Sequence, residues 1–243
     1  MSILETTNVS KAFGGIQALN ACSISVEQGE IMGLIGPNGS GKTTLFNVIT
    51  GYLPLDQGEV HFNGAPITNA RPDRVFNLGL GRTFQLTRIF SRLTVLENMH
   101  VAAQRQGSRE LLSRWSSSHE QRQALELLDF VGIAQLKDAL AGSLSYGQKK
   151  LLEFAFILIA DPKVILLDEP AGGINPTLLN HLSERIRDLN QRGVTFLLVE
   201  HNMEFVMGLC DRITVLHRGT KIAEGKPEEV RKNPEVLEAY LGA

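Results

Sequence analysis

The stretch Gly36-Pro37-Asn38-Gly39-Ser40-Gly41-Lys42-Thr43 constrains this chain more than any other. It has the form G-x-x-x-x-G-K-[ST], a phosphate-binding P-loop, and such a match gains weight when a strand leads in and a helix leads out. Both flanks are present. The apolar run Ile31-Met32-Gly33-Leu34-Ile35 precedes the loop, and Leu45, Val48, Ile49 and Tyr52 follow on one face at helical spacing. Main-chain N–H groups of a Gly-rich loop at a helix N-terminus converge on one point, where the helix dipole adds partial positive charge. A triphosphate fits that point. Gly36, Pro37, Asn38, Gly39, Ser40, Gly41 and Thr44 are the expected cradle for ATP. Lys42 is the expected point charge on its β- and γ-phosphates, and Thr43 a hydroxyl ligand for Mg2+.

With 243 residues, 43% hydrophobic and 21% charged, the chain suffices for one large domain or one domain with an inserted subdomain. A net charge of −2 gives no general attraction for polyanions, so nucleic acid is not an expected partner. Cys22 and Cys210 are too few for a disulfide framework and share no metal-ligand spacing, which fits a reducing compartment. The opening Met1-Ser2-Ile3-Leu4-Glu5-Thr6 lacks the basic start and apolar core of a signal peptide. The longest apolar run, residues 154–160, is far short of the roughly 20 residues that span a bilayer. The chain is expected to be soluble by itself and to reach a membrane only through a partner.

Short strands are expected around residues 3–9 and 21–26, with a turn at Gly14-Gly15, and another strand over 59–63. Residues 71–92 carry Arg71, Arg74, Arg82, Arg88 and Arg92 against only Asp73, which reads as either a solvated face or a docking surface. Helical character starts at Thr94, where Thr94 and Glu97 have capping-box spacing. Ser118 with Gln121 and Ser145 with Gln148 repeat that spacing, and Gly132 is an expected helix stop. Trp115, in a Ser- and Arg-rich loop, is expected to be a local packing anchor. The helix over 151–160 is apolar enough to be buried nearly all round. Continuous apolar runs at 164–167 and 194–199 then read as strands covered on both faces of a parallel sheet. The expected organisation is an α/β nucleotide core, residues 1–84 and 161–243, with an inserted helical subdomain over 85–160.

Three further stretches narrow the reading. Val164-Ile165-Leu166-Leu167-Asp168-Glu169 is an apolar strand ending in two acids. Beside a P-loop, Asp168 is placed to hold Mg2+ through its water shell, and Glu169 to polarise a water for in-line attack. Leu144-Ser145-Tyr146-Gly147-Gln148 closely resembles the L-S-G-G-Q signature of ABC-transporter ATPases. Val199-Glu200-His201 matches that family's switch histidine. Gly81-Arg82-Thr83-Phe84-Gln85 matches its Q-loop at Gln85, and Gly172-Gly173-Ile174-Asn175-Pro176 stands where its D-loop falls. Phe13 stands where the family stacks an aromatic on adenine.

The resemblance implies the ABC ATPase fold: a P-loop NTPase core with N-terminal antiparallel strands and a helical insert. It implies that Gln85 contacts Mg2+ and the attacking water, and that His201 donates to the γ-phosphate and orients Glu169. In the family the signature, here Ser145, Gly147 and Gln148, meets ATP bound on a second, facing cassette. One P-loop and one signature per chain therefore imply a dimer with two ATPs sandwiched head to tail. This chain departs from the family at Tyr146, which replaces the first signature Gly, and at Asn175, which replaces the usual D-loop Asp.

The Q-loop stretch, Ala171-Gly172-Gly173-Ile174-Asn175-Pro176, Val199-Glu200-His201-Asn202-Met203 and the ending Asn233-Pro234-Glu235-Val236-Leu237-Glu238-Ala239-Tyr240-Leu241-Gly242 resemble one branch, the ATPases of hydrophobic (branched-chain) amino-acid importers. That implies two transmembrane permease subunits, a second ATPase subunit, an extracytoplasmic substrate-binding protein, and a peripheral place on the cytoplasmic face of the membrane. Urea, amide and aromatic-acid importers share the branch. Lipopolysaccharide-export ATPases are the alternative within transporters, although they usually carry Leu-Pro before the Gln, where this chain has Thr83-Phe84. Soluble ABC ATPases of DNA repair or translation are the alternative outside transport, but they usually carry two cassettes or long coiled coils.

Overall fold

The computed structural model describes residues 1–83, 89–104 and 118–241. Strands β1 (Ser2–Phe13) and β2 (Ile16–Glu27) form an antiparallel hairpin. Its turn, Gly14-Gly15, has φ of 51° and 89°, the positive values a two-residue hairpin needs. Both strands run further than their apolar residues suggest, because the ladder continues through mixed polar and apolar pairs such as Lys11 with Leu19 and Ala12 with Gln17. β3 (Ile31–Ile35) leads into the P-loop and α1 (Lys42–Ile49) leads out, as the motif requires. Tyr52 does not extend the buried face of α1. Thr50 caps the helix, Gly51 turns the chain at φ 74°, and the Tyr52 ring is exposed.

β4 (Gln57–Phe62) and β5 (Ala65–Pro66) complete a four-stranded antiparallel sheet in the order β2-β1-β4-β5. α2 (Pro72–Asn77) and β6 (Leu80–Arg82) follow, neither marked by a clear apolar period. α3 (Val95–Gln104), α4 (Ser118–Phe130) and α5 (Tyr146–Leu158) make the helical stretch. The Thr94–Glu97 capping box is formed: the Glu97 N–H donates to the Thr94 hydroxyl at 3.1 Å, and the Thr94 N–H to the Glu97 carboxylate at 2.7 Å. β7 (Val164–Asp168), α6 (Pro176–Gln191), β8 (Thr195–Val199), α7 (Met203–Leu209), β9 (Arg212–His217) and β10 (Thr220–Gly225) return to α/β order. α8 (Pro227–Lys232) and α9 (Pro234–Leu241) close the described chain. Trp115 and Arg88 lie outside the described residues.

The second sheet has the order β10-β9-β3-β8-β7-β6, parallel except for the β9–β10 hairpin. β3, β7 and β8 are buried at every residue. Side chains of a strand alternate between faces, and here the alternation sorts them into two cores. Ile31, Ile35, Ile165, Leu167, Phe196 and Leu198 join the helical side, with Val95, Met99, Leu128 and Leu151. Met32, Leu34, Leu166, Leu197 and Val199 join α1 and the antiparallel sheet, with Leu45, Phe46, Leu4 and Phe62. The P-loop strand thus sits in the middle of the sheet with packing on both faces, which fixes the loop at its carboxyl end.

Candidate functional site

The P-loop occupies the crevice at the ends of β3 and β9. Gly36 has φ 149°, and a Cβ there would lie 2.0 Å from the Leu216 carbonyl oxygen. Gly41 has φ 103°, and its Cβ would lie 2.5 Å from the Ala18 carbonyl oxygen. Only glycine fits these two places. The Lys42 side chain is buried and turned onto its own loop: Nζ donates to the carbonyls of Gly36 (2.8 Å) and Pro37 (2.9 Å) and to Ser40 Oγ (3.3 Å). Burial pushes the Lys42 ammonium below the usual lysine range, and Glu169 and Asp168 oppose that shift. The loop therefore keeps a cation ready beside a set of main-chain donors. Asn38, Gly39 and Thr43 face solvent.

Asp168 ends β7 and is buried. Its Oδ2 accepts from Arg82 at 2.9 Å, and Arg82 also donates to Asn47 Oδ1 (2.7 Å) and Thr50 Oγ1 (3.0 Å) on the α1 segment. The guanidinium lies 5.5 Å from the centre of the Phe46 ring. Arg82 is thus a buried strut between the P-loop helix and the acidic strand end, and it leaves the surface that its neighbours Arg71 and Arg74 line. Removing one partner of a buried pair strands the other charge. Arg82→Met is expected to lower the unfolding free energy by about 3–5 kcal/mol, read by urea denaturation; a loss under about 1 kcal/mol, the scale of a surface pair, would contradict the strut.

Glu169 follows at φ 49°, a left-handed conformation that a non-glycine residue adopts at a cost of order 1–3 kcal/mol. The turn brings its carboxylate to His201: Glu169 Oε1 and His201 Nε2 are 3.3 Å apart. His201 stands just past β8, one strand over from β7, so two adjacent parallel strands deliver the acid and the imidazole to the same edge. A carboxylate and an imidazole in this arrangement can take a proton from water and orient each other. Among the described residues no group of three His, Cys, Asp or Glu side chains is placed to hold a metal ion. Thr43 and Asp168 are nevertheless the hard oxygen donors that Mg2+ takes together with phosphate and water, so the donor set fits that cation bound with a nucleotide.

The signature residues sit at the start of α5. The Gln148 N–H donates to Ser145 Oγ at 3.3 Å and the Ser145 N–H to Gln148 Oε1 at 2.9 Å, so the expected capping box is present, with Ser145 exposed. Gly147 is needed inside the chain as well: a Cβ there would lie 2.5 Å from Leu178 Cδ2 on α6. The two departures have local reasons. The Tyr146 ring lies against Gly173, where a Cβ would be 2.9 Å from it. Asn175 caps α6, its Oδ1 accepting from the Leu178 N–H at 2.9 Å, a task a neutral amide performs as well as an acid. Phe13 is exposed at the tip of the hairpin whose second strand touches Gly41 through Ala18, with Lys11 Nζ 5.7 Å from its ring centre. Gln85 lies outside the described residues.

Buried charges to which the motif reading gives no role include Arg82, Lys150, Glu153 and Glu200. The signal for Lys150 was available, since a charge within a helix buried all round needs partners. Arg82 and Glu200 lie inside matched motifs whose other residues drew the assignment.

The family model described as ABC transporter matches residues 19–172. A probable branched-chain amino acid transport ATP-binding protein LivG of Archaeoglobus fulgidus is 44% identical over 248 residues, 100% of this chain and 96% of the relative. The chain belongs to the ABC transporter family. This ABC ATPase also matches, over residues 220–243, the family model described as branched-chain amino acid ATP-binding cassette transporter. A high-affinity LivG of Salmonella typhimurium is 38% identical over 249 residues, covering 99% of this chain and 98% of its own. Among solved structures, the ADP conformation of an ATP-binding cassette of an ABC transporter has a TM-score of 0.90 at 38% identity, covering 100% of both chains. A dimeric bacterial ABC transporter cassette has a TM-score of 0.83 at 25% identity, with 92% of this chain and 98% of that one covered.

Proposed function

We propose that this ABC ATPase binds and hydrolyses ATP to power an importer of branched-chain or other hydrophobic amino acids. The observation that carries the cargo class is the match of residues 220–243 to the branched-chain cassette model, alongside full-length relatives carrying that name. In this reading Gly36, Pro37, Asn38, Gly39, Ser40, Gly41, Lys42, Thr43 and Thr44 hold the phosphates, and Phe13 stacks on adenine. Lys42 exchanges its loop carbonyls for phosphate oxygens. Thr43, Asp168 and Gln85 hold Mg2+, which supplies charge neutralisation at the phosphates. Glu169 takes the proton of the attacking water, and His201 orients Glu169 and donates to the γ-phosphate.

Ser145 is exposed at a helix N-terminus, with the half-buried Gln148 and the buried Gly147 in the same first turn, where main-chain N–H groups suit an anion. A chain that already holds phosphate at its P-loop uses this second donor set on the ATP of a partner cassette, either a second copy or a sister ATPase. Residues 1–84 and 161–243 bind nucleotide, and 85–160 transmit its state. A cleft of about 840 Å3 runs beside α2, lined by Tyr52, Arg71, Phe76, Ile89, Phe90 and Phe156. It supports docking of a permease's cytoplasmic helix there, and Arg92, two residues past the lining Phe90, is exposed. Among the described residues no helix is long and apolar enough to cross a membrane, in keeping with a peripheral subunit at the cytoplasmic face. An extracytoplasmic binding protein would act on it through the two permeases.

The test is purification of the chain from membranes. Two permeases are expected to co-purify, and ATP turnover of the reconstituted complex is expected to rise severalfold with leucine-loaded binding protein. Arg92→Glu is expected to weaken that co-purification. A complex that ignores every hydrophobic amino acid would contradict the cargo, and a chain recovered without permeases would contradict the transport role.

A further inference from the structure

Glu169 holds a strained backbone, and such conformations persist where the surroundings over-determine them. The surroundings are two buried charges. Glu200, 3% exposed, places one carboxylate among three main-chain donors: the Ala171 N–H on Oε1 at 2.5 Å, and the His201 and Asn202 N–H groups on Oε2 at 2.8 and 3.0 Å. Ala171 lies two residues beyond Glu169. One side chain therefore ties the chain just after Glu169 to the chain at His201. Lys150, 8% exposed, donates through Nζ to the carbonyls of Glu169 and Pro170. The Glu169 N–H is held as well, by the Val199 carbonyl at 2.9 Å.

Lys150 is on α5, the helix that begins at the signature. Its ammonium also lies 5.2 Å from the centre of the Tyr146 ring, which packs on Gly173. Burial pulls the Lys150 ammonium below the usual lysine range, and Glu200, Glu153, Glu169 and Asp168 act against that. Along the helix Leu151, Leu152, Phe154 and Ala155 are buried apolar neighbours, with the buried acid Glu153 among them. Apolar packing in place of such charges is often neutral or stabilising. What the charges supply here is fixed backbone geometry from the Glu169 carbonyl to Ala171 and at His201.

We propose that Lys150 and Glu200 are positioning residues for ATP hydrolysis, holding the segment from Glu169 to Ala171 against His201 and tying it to the signature helix. The inference rests on the reading that Glu169 activates water. Because α5 carries the signature that meets the partner's ATP, this link gives one site a mechanical path to the other within a single chain.

The test uses the full chain with Lys150→Met, Lys150→Arg, Glu200→Gln and the double variant, reading kcat, KM, nucleotide affinity and Tm. Misplacing a reacting group by about 1 Å can cost 10²-fold, so Lys150→Met and Glu200→Gln are each expected to lower kcat by about 10- to 100-fold. Nucleotide affinity is expected to stay within about threefold, as for a loss confined to the transition state. Lys150→Arg, which keeps a cationic donor, is expected to regain most of the turnover. The double variant is expected to lose little more than the worse single one, because both hold the same segment. A kcat near wild type in Lys150→Met, or losses that multiply in the double variant, would overturn the proposal. Lys150→Met carries the test by itself if Glu200→Gln does not fold. Glu169→Gln in the same assay separates the two readings: turnover lost there but kept in Lys150→Met sinks the positioning role alone, and turnover kept in Glu169→Gln sinks both.

Discussion

Glu169→Gln is expected to cut ATP turnover by about 10²–10⁴-fold, the range a positioned general base contributes. The amide keeps the shape of the side chain and an oxygen toward His201, but it cannot take a proton. The P-loop is untouched, because Lys42 and its carbonyl partners lie on a separate segment. ATP affinity is therefore expected to stay within about threefold, since binding energy shared by ground and transition states is not affected. With hydrolysis stopped, the ATP-bound dimer is expected to accumulate, read as a doubling of mass in size-exclusion chromatography with light scattering. Near-normal turnover would remove Glu169 from its assigned role.

Ser145→Arg should produce the second large effect by a different route. The exposed Ser145 hydroxyl caps α5, and its loss costs about 1 kcal/mol of helix stability. That is small against the functional loss. A long side chain at the helix N-terminus removes the acceptor and occupies the place where an anion would approach. Turnover is expected to fall by about 10²-fold or more, comparable to losing a donor that stabilises developing charge. Affinity of the isolated chain for ATP is expected to stay unchanged, because its own P-loop is intact. Parallel loss of affinity would mean that the signature serves the ATP of its own chain.

Much of this molecule is legible in its sequence because local rules and tertiary context agree there. The strands at 31–35, 164–168 and 195–199 are buried at every residue and, apart from Asp168 and Thr195 at strand ends, carry no polar side chain, since both faces of a parallel sheet are covered. The capping boxes at Thr94 and Ser145 need only residues three apart, so spacing alone finds them. Tyr52 fails the same kind of reasoning. It keeps helical spacing, but Gly51 has already turned the chain. α2 and β6 escape notice because a short helix and an edge strand bury too few residues to leave a period.

The site divides in the same way. Lys42, Asp168, Glu169 and His201 announce themselves through motifs that chemistry fixes at short spacing. Arg82, Lys150 and Glu200 act over separations of 86, 19 and 29 residues, on Asp168, Glu169 and Ala171 respectively. No local pattern encodes such pairings. An arginine in a basic stretch looks like surface until the fold places it under the P-loop helix. Asn175 teaches the converse: what looks like a lost charge is a helix cap whose acceptor needs no charge.

The central claim is that each ATP is held between the P-loop of one chain and the signature of another. Mixing two inactive variants, Lys42→Met and Ser145→Arg, tests it most directly. In a mixed dimer one site joins both lesions, while the other joins the intact P-loop of the second variant to the intact signature of the first. The account predicts that turnover, absent in either variant alone, returns on mixing and follows the fraction of mixed dimer. A mixture as inactive as its components would contradict it.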